Sequence, residues 1–372
     1  MVAIDWICTL PWGLRALLGY DRKLCAEVVS AFAAELDRSL RWRAKRELGL
    51  CSVAQAHTGC VVSIQRTDSA LRLNVHFHVL ALDGVYVRED SGELVFHELP
   101  TPTREEVADV AGRTADRIEQ ILRAHGRSLD PALGDDEPPP LCLDEPGLAA
   151  CYSAAAQGIS VTGDRAGRPT CWRLIVPQDL PPGAAGDADQ PVAEVRGVNV
   201  HAKQFVDGRD RKQLERLCRY ITRPPFANEH LERRADGRLE LTLKKAWRDG
   251  TRALVFDPHD LITRLIAAVA PPRFHLLRYS GVLSSHSSLR PEVVPEPPPD
   301  PTQRRPPAAA AADRCAGPRS RTPPTRSRAY SQRMASDLIH RRRRVSHRVD
   351  RSACRSGRGS RSDRPPPPPQ CL

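Results

Sequence analysis

The stretch LNVHFHVLAL, residues 73–82, carries two histidines at alternate positions of an apolar run. Such a run predicts a buried β-strand, and successive side chains of a strand point to opposite faces. His76 and His78 therefore share one face, whereas Phe77 points to the other. Two neutral imidazoles on one strand face can bind a divalent cation, with a third protein group, water or a substrate phosphate completing the site.

A tyrosine near the end of a basic helix is the second candidate catalytic group. The segment DRKQLERLCRYIT predicts a helix that ends before Pro224-Pro225, and it carries Tyr220. Basic neighbours would stabilise a phenolate and hold a phosphate backbone. These neighbours are Lys212, Arg216, Arg219 and Arg223. Tyr279, in the segment HLLRYSGVL, is the alternative nucleophile.

Spacing alone does not identify the third metal ligand. Gln65 on the neighbouring predicted strand and Asp83 at the end of the histidine strand are both candidates. Either side chain can instead satisfy nearby backbone groups. His201, on another predicted strand, is a further alternative. A second set of basic residues predicts contacts with DNA or, alternatively, a solvated surface; these are Lys244, Lys245, Arg248 and Arg278.

The remaining pattern indicates the elements that must position these residues. Apolar spacing and capping signals predict helices over 20–48, 103–126, 210–222 and 257–270. Strands are predicted over 60–66, 73–82, 85–89, 93–99, 193–206, 238–247 and 251–258. Residues 127–190 collect Pro, Gly and Asp, so we expect a loop-rich insertion with a weak strand at CWRLIV.

Composition divides the chain into three parts. Residues 291–372 contain 18 arginines and seven acidic residues, and so account for the whole net charge of +11. This Pro/Arg/Ser-rich segment has too few large apolar residues to form a core, so we expect a disordered tail. Before this tail, we expect an N-terminal helical segment over 1–58 and a domain over 59–290 that carries the candidate catalytic residues.

The cysteines and the apolar segments indicate the compartment. Eleven cysteines without any CxxC pair indicate reduced thiols in a cytoplasmic protein. The longest apolar stretches are interrupted well before the ~18 residues that a membrane span requires, so we expect no membrane partner. The excess of basic residues over 201–290 favours a phosphate backbone as the partner.

The segment SIQRTDSALRLNVHFHVLALDGVYV resembles the His-hydrophobic-His (HUH) signature of rolling-circle transposases, in particular the insertion-sequence family of the IS-ninety-one type and its common-region relatives. The resemblance continues in LERLCRYITRPPFANEHLERRADGRLELTLKKAWRDGT and in PPRFHLLRYSGVLSSH. It implies an α/β (α+β) fold, in which an antiparallel HUH-endonuclease sheet has the histidine strand at its centre and helices on one face. The tyrosine helix would face the metal across the other face.

The resemblance also implies an activity. It implies cleavage and rejoining of single-stranded DNA at insertion-sequence ends by Tyr220, through a 5′-phosphotyrosine, with Mg²⁺ or Mn²⁺ held by His76 and His78. Single-stranded DNA is then the expected partner, no small-molecule substrate is implied, and the oligomeric state is open. The alternatives are a catalytically inactive DNA-binding remnant and a rolling-circle replication initiator or relaxase.

The sequence departs from the family pattern in three places. Founding members carry two tyrosines four residues apart on the tyrosine helix, whereas Arg216 stands four residues before Tyr220 here. This difference favours the single-tyrosine subgroup. A cysteine-rich zinc module usually precedes the region matched by WICTLPWGLRALLGYDR, and ordered sequence usually follows RYSGVLSSH. We therefore expect that activity is impaired by truncation.

Overall fold

The computed structural model describes residues 2–128, 140–175, 191–207 and 210–294. The predicted tail lies, from residue 295 onward, outside the described residues, so its predicted disorder stays a prediction. The same holds for residues 129–139 and 176–190 of the predicted insertion.

Twelve strands are present in these ranges. They are β1 (Val2–Thr9), β2 (Gly59–Thr67), β3 (Leu73–Leu82), β4 (Gly84–Arg88), β5 (Leu94–Glu98), β6 (Cys171–Ile175), β7 (Val192–Val195), β8 (Val198–Asp207), β9 (Leu231–Arg233), β10 (Leu239–Thr242), β11 (Thr251–Phe256) and β12 (Leu277–Gly281).

Eight α-helices occur in the same ranges. They are α1 (Leu14–Tyr20), α2 (Arg22–Leu48), α3 (Arg104–Ala124), α4 (Pro140–Asp144), α5 (Pro146–Gln157), α6 (Arg211–Ile221), α7 (Pro258–Ala268) and α8 (Arg290–Val293). Within the described residues, none of these helices is long and apolar enough to cross a membrane.

A six-stranded antiparallel sheet positions the histidines. Its strand order is β12-β2-β3-β1-β8-β7, so the histidine strand β3 lies in the interior of the sheet between β2 and β1. Register fixes the neighbours of each histidine: His78 lies between Ser63 and Ile7, and His76 lies between Gln65 and Thr9. The prediction of an antiparallel α/β fold with the histidine strand at its centre is confirmed.

One face of this sheet carries the main hydrophobic core. Val75, Phe77 and Val79 of β3 are fully buried there, and Phe77 packs against Phe32 of α2 with ring centroids 6.5 Å apart. Helix α2 forms because its apolar residues recur every four positions, and it ends at Gly49 in the left-handed conformation (φ 64°). Helix α3 begins with the predicted capping box of Thr103 and Glu106.

The opposite face of the sheet receives α6. A smaller hydrophobic cluster joins Leu80 of β3 and Val206 of β8 to Leu217, Cys218 and Ile221 of α6. Leu80 has the same parity as the two histidines, so α6 packs on the histidine face. The predicted separation of the tyrosine helix from the other helices by the sheet is therefore present.

A second antiparallel sheet has four strands in the order β6-β11-β10-β9; β6 precedes α6 in the chain and the other three strands follow it. Its core includes Leu241, Leu254 and Phe256, and it packs against Ala70 and Leu71 from the β2–β3 connection. The second sheet therefore lies next to the end of β2 that carries Gln65 and Thr67.

The first strand was not predicted, because the segment 1–58 was interpreted as helical. Strand β1 pairs with β3 on one side and with β8 on the other, so the segment supplies an interior strand of the main sheet. The single strand predicted over 193–206 is also wrong in detail. It is the hairpin β7–β8, which turns at Arg196-Gly197 with positive φ at both residues.

Helix α5 lies within the region that was predicted to be rich in loops. Its sequence, PGLAACYSAAAQ, is rich in alanine and has no polar face that would reveal a helical period. Tyr152, Ala155 and Ala156 nevertheless pack into the main core. The weak strand predicted at CWRLIV is present as β6.

Candidate active site

The two histidines of β3 stand side by side on the face that α6 covers. Their ring centroids are 5.5 Å apart, with an angle of 61° between the ring planes. Metal–nitrogen bonds of about 2.1 Å to two imidazoles separate the ring centroids by roughly 5 Å at ordinary ligand angles. The observed spacing therefore fits two imidazoles that share one cation.

Hydrogen bonding fixes which nitrogen of His76 is free. Nδ1 of His76 lies 2.7 Å from the backbone oxygen of Asn74. A carbonyl oxygen only accepts, so Nδ1 donates and the lone pair of the neutral ring is on Nε2. Burial lowers the pKa of His76 below its ordinary value, and the bond to the Asn74 carbonyl partly offsets this effect. The neutral form that a metal requires is thus favoured.

The carboxylate of Asp5 fixes the tautomer of His78, as the Asn74 carbonyl does for His76. Nδ1 of His78 lies 3.2 Å and 3.4 Å from the two carboxylate oxygens of Asp5, and both side chains are almost completely buried. The carboxylate accepts from Nδ1, which leaves Nε2 of His78 with the lone pair. A carboxylate behind a histidine fixes its ring orientation and raises its basicity as a ligand.

Tyr220 contacts His78 from α6. The two rings meet edge to face, with centroids 6.0 Å apart and an interplanar angle of 78°. The tyrosine is 43% exposed, so its ring is reachable from solvent while one edge rests on the histidine. The guanidinium of Arg223 lies 4.4 Å from the centre of the tyrosine ring. The phenol ring of Tyr220 therefore contacts both the imidazole of His78 and the guanidinium of Arg223.

Two side chains of β2 bind the end of α6. Oγ of Ser63 donates to the backbone oxygen of Ile221 over 3.0 Å, and Nε2 of Gln65 donates to the same oxygen over 3.1 Å. Ser63 and Gln65 lie opposite His78 and His76 in the sheet. The strand pair that carries the histidines thus also holds the helix that carries Tyr220.

These groups line one open cavity of about 490 Å³. Besides the histidines and Tyr220, its walls include Thr9, Asn74 and Asp68. Oδ1 of Asn74 is buried and has no hydrogen-bond partner among the described residues. The carboxylate of Asp68 is engaged by the backbone nitrogens of residues 70 and 72 and by the side chain of Arg72.

The side chains of this cavity offer few protein ligands for a divalent cation. Within the described residues, no group of three or more His, Cys, Asp and Glu side chains could hold a metal. His76 and His78 therefore fit a cation that takes its other ligands from amide oxygen, water or phosphate, as Mg²⁺ and Mn²⁺ do. The unsatisfied oxygen of Asn74 fits such an ion as an acceptor for one of its water ligands.

The structure does not bring Asp83 to the histidines. Asp83 follows the last residue of β3, and its charge interacts with Arg43 of α2, on the opposite side of the sheet. Burial raises the pKa of its carboxyl to about 6, against an opposing effect of Arg43. Asp83 therefore cannot complete the metal site that the histidines begin.

Two further predicted residues lie away from the histidines. Tyr279 lies on β12 opposite Val61, so strand β2 separates it from β3. Arg278 points to the other face, because its Nη1 donates to the backbone oxygen of Ala26 in α2 over 3.4 Å. Arg278 is therefore not a contact for DNA that enters the cavity. His201 faces the same side as His78, with Ile7 of β1 between them.

The basic residues of α6 follow its exposed side. Lys212, Arg216 and Tyr220 recur every four positions and are all exposed, so they form one row along the helix. Arg219 is also exposed but is paired with Glu215 of the preceding turn. Lys244, Lys245 and Arg248 are exposed in the connection between β10 and β11.

The sequence did not single out Asp5 or Ser63. The signal for Asp5 was present: it interrupts VAIDWICT, where Ile4, Trp6 and Cys8 alternate as in a strand with one buried face. A carboxylate on the second face of a central strand requires a partner. Ser63 carried no signal, because a serine in a strand is most simply a surface or packing residue.

Comparison with protein families gives a match over the whole of the predicted catalytic domain. The family model Y2_Tnp, whose description is "Putative transposase", matches residues 59–290. No curated protein and no solved structure matches the chain. Strand β1 and Asp5 precede the matched residues.

Proposed function

Because this chain belongs to the Y2_Tnp family of transposases, we propose that it cleaves and rejoins single-stranded DNA at the ends of an insertion sequence with Tyr220 as nucleophile. The observation that carries the proposal is the contact of Tyr220 with His78, at a ring centroid distance of 6.0 Å. A nucleophile and a metal-ligating group must both reach one phosphate, and these two side chains are close enough to do so.

The proposed step is an exchange of one phosphoester for another. The phenolic oxygen of Tyr220 forms a bond to phosphorus, and the 3′ oxygen of the preceding nucleotide leaves with the bonding electron pair. The phenol loses one proton and the leaving 3′ oxygen gains one, so the exchange releases no net proton. The 5′-phosphotyrosine conserves the ester, so attack by another 3′ hydroxyl rejoins DNA without ATP.

His76 and His78 would hold a Mg²⁺ or Mn²⁺ ion through Nε2, since Nδ1 of each ring is a donor to Asn74 or Asp5. Such an ion polarises the scissile phosphate and stabilises the charge that develops on its oxygens. Asp5 fixes the orientation of His78 from the neighbouring strand. Asn74 lies two residues before His76 on the same face, and its buried, unpartnered Oδ1 would accept a hydrogen bond from a water ligand of such an ion.

The basic row of α6 would hold the DNA strand. Lys212 and Arg216 precede Tyr220 at intervals of one helical turn, and Arg223 lies beside its ring. Contacts from these side chains to phosphates position the strand without reading its bases. Because α6 carries a single tyrosine, each chain forms one covalent link at a time.

The test is formation of a covalent adduct. Purified protein is incubated with single-stranded DNA from the element's ends and Mn²⁺, and a protein–DNA species that resists denaturation is sought on a gel. Tyr220→Phe and the double variant His76→Ala/His78→Ala are expected to form none. Tyr86→Phe, a tyrosine of β4 that packs on Phe96, is the matched control and is expected to react like the wild type.

Two outcomes would contradict the proposal. An adduct that survives in Tyr220→Phe would exclude this tyrosine as the nucleophile, and an adduct that survives without both histidines would exclude the metal site. Salt-dependent DNA binding with no adduct under any metal condition would instead support a catalytically inactive DNA-binding protein.

A further inference from the structure

We infer that Ser63 and Gln65 are positioning residues that hold Tyr220 over His78 by binding the last carbonyl group of α6. This inference rests on the proposed function and adds two residues to it. Gln65 was a candidate metal ligand in the sequence analysis, and the inference gives it a different role. Neither side chain touches the reacting atoms in this role, because both act through the backbone of the tyrosine helix.

The end of α6 needs donors from outside the helix. The last carbonyl groups of any helix have no partner within it, and a buried carbonyl without a partner is unfavourable. Here Thr222 donates its hydroxyl to the Cys218 oxygen, and the backbone nitrogen of Arg223 approaches the Tyr220 oxygen. The Ile221 oxygen belongs to a residue that is only 2% exposed, and it receives both Ser63 and Gln65.

The two bonds fix the helix at the position that matters for the nucleophile. Tyr220 directly precedes Ile221, so a shift of the Ile221 carbonyl displaces the tyrosine ring. Otherwise α6 is attached through a small apolar cluster of Leu217, Cys218 and Ile221 against the sheet. Apolar contacts resist separation but permit sliding, whereas two converging hydrogen bonds specify a location.

Sheet register couples this attachment to the histidines. Ser63 pairs with His78, and Gln65 pairs with His76, across the β2–β3 ladder. All four side chains point to the same face, because paired residues of neighbouring strands share a face. The distance between the bound helix end and the histidine rings is therefore set by backbone geometry. The same pair of strands thus locates both the helix end next to the phenol and the histidine rings.

The amide of Gln65 is oriented by this bond. Its Nε2 donates to Ile221, so the nitrogen, which cannot ligate a cation, faces the helix. A ligand role requires only the amide oxygen, whereas a positioning role requires the N–H. A substitution that keeps oxygen and removes the donor therefore separates the two roles.

Gln65→Glu is that substitution. The carboxylate supplies oxygen to a cation but cannot donate to the Ile221 carbonyl. We expect Gln65→Glu and Gln65→Leu alike to slow adduct formation by about 10- to 100-fold at saturating Mn²⁺ and DNA, because a small misplacement of a nucleophile is sufficient for such losses. In Gln65→Leu, which has no oxygen to offer a cation, the affinity for Mn²⁺, measured by electron paramagnetic resonance of the free ion, is expected to stay within about twofold of the wild type.

Ser63 provides an independent pair of variants. Ser63→Ala removes the hydroxyl donor and is expected to slow the reaction, whereas Ser63→Thr retains the donor and is expected to restore most of the rate. DNA affinity is expected to stay unchanged in both, so that the effect appears in the maximal rate and not in the half-saturating DNA concentration. Circular dichroism and thermal unfolding establish that each variant is folded.

Gln157→Glu is the matched control. Gln157 is exposed at the end of α5, where its Nε2 donates to Oγ of Ser153, and the substitution is expected to leave rate and Mn²⁺ affinity unchanged. A wild-type rate in Gln65→Glu, or loss of Mn²⁺ binding in Gln65→Leu, would overturn the inference and assign Gln65 to the metal. Absence of any adduct in the wild type contradicts the proposed function itself. An adduct that needs Tyr220 but forms at the wild-type rate in Ser63→Ala/Gln65→Leu contradicts only the positioning role.

Discussion

Asp5 and His78 lie on neighbouring strands, and the Asp5 carboxylate accepts a hydrogen bond from Nδ1 of His78 over 3.2 Å inside the protein. The pair is diagonal in the sheet, offset by two residues, since His78 pairs with Ile7 and Asp5 pairs with Leu80. A buried carboxylate behind an imidazole determines which ring nitrogen is available. Asp5 therefore supports the candidate site from behind His78, whereas Thr9, further along the same strand, lines the cavity itself.

Replacement of Asp5 by asparagine is expected to weaken Mn²⁺ binding. Asparagine retains the shape of the side chain but no longer fixes the charge and tautomer of His78. Affinity for Mn²⁺ should fall by about 10- to 100-fold, as for other outer partners of metal-ligating histidines. Titration of wild type and variant with Mn²⁺ measures the change. Asp116→Asn, an exposed substitution on α3, is the control. Equal Mn²⁺ affinities in Asp5→Asn and wild type would contradict this role.

Arg223→Ala is expected to weaken the binding of single-stranded DNA irrespective of its sequence. The Arg223 guanidinium stands beside Tyr220 at 4.4 Å, where a phosphate of bound DNA would neutralise it. Loss of one phosphate contact should reduce the slope of log affinity against log salt by about one. Fluorescence anisotropy at several salt concentrations gives that slope. Arg123→Ala, on α3 with a 75% exposed side chain, should leave the slope unchanged; a similar change in both variants would argue against a local contact.

Phe77→Ala is expected to destabilise the whole domain. Phe77 is fully buried between the two histidine positions and packs on Phe32 of α2. Truncation of a buried phenylalanine lowers the free energy of unfolding by about 3–5 kcal/mol. Urea unfolding followed by circular dichroism measures the loss. Ile262→Ala, at a position that is 53% exposed, should cost less than about 1 kcal/mol. Equal losses in the two variants would contradict the assignment of Phe77 to the core.

Asp83 is expected to make stability fall as the pH rises from about 4 to about 6. Burial raises the pKa of Asp83 in the folded protein to about 6, above its unfolded value. The folded state therefore binds the proton more tightly, and this stabilisation is complete below the unfolded pKa and is lost as the pH rises through the folded pKa. The loss is at most about 3 kcal/mol.

Asp83→Asn is the variant that tests this pH dependence. The amide cannot ionise, so the unfolding free energy of the variant should fall less between pH 4 and pH 6 than that of the wild type. It should also exceed the wild-type value at pH 7, where the wild-type carboxyl is ionised. Parallel pH profiles for the two proteins would refute the assignment. Glu89→Gln, at an exposed position near β4, serves as the control.

Part of the site could be predicted from local sequence. The alternation in LNVHFHVLAL was enough to place His76 and His78 on one face, and Pro224-Pro225 was enough to end the tyrosine helix. The same alternation also argues against Asp83, since an odd-numbered residue continuing β3 points away from the histidines. Parity could thus have excluded Asp83 before the structure was known.

The approach of α6 to the sheet could not be predicted from spacing. It depends on a small cluster around Leu217 and Ile221, and on bonds from Ser63 and Gln65 that join residues more than 150 positions apart. Strand β1 was missed because eight residues with an aspartate in the middle give a weak strand signal. Its neighbours β3 and β8 are distant in sequence, so pairing could not be inferred from a turn.

The location of β1 also governs the order in which the protein can assemble during synthesis. One edge of β1 pairs with β3, but its other edge pairs with Val198–Asp207 of β8. The ribosome must therefore synthesise the chain as far as β8 before both edges of β1 can be paired. Such long-range pairing slows folding, and until β8 emerges one side of β1 presents unpaired backbone groups. Nascent chains of this protein should consequently depend on chaperones until synthesis has passed β8.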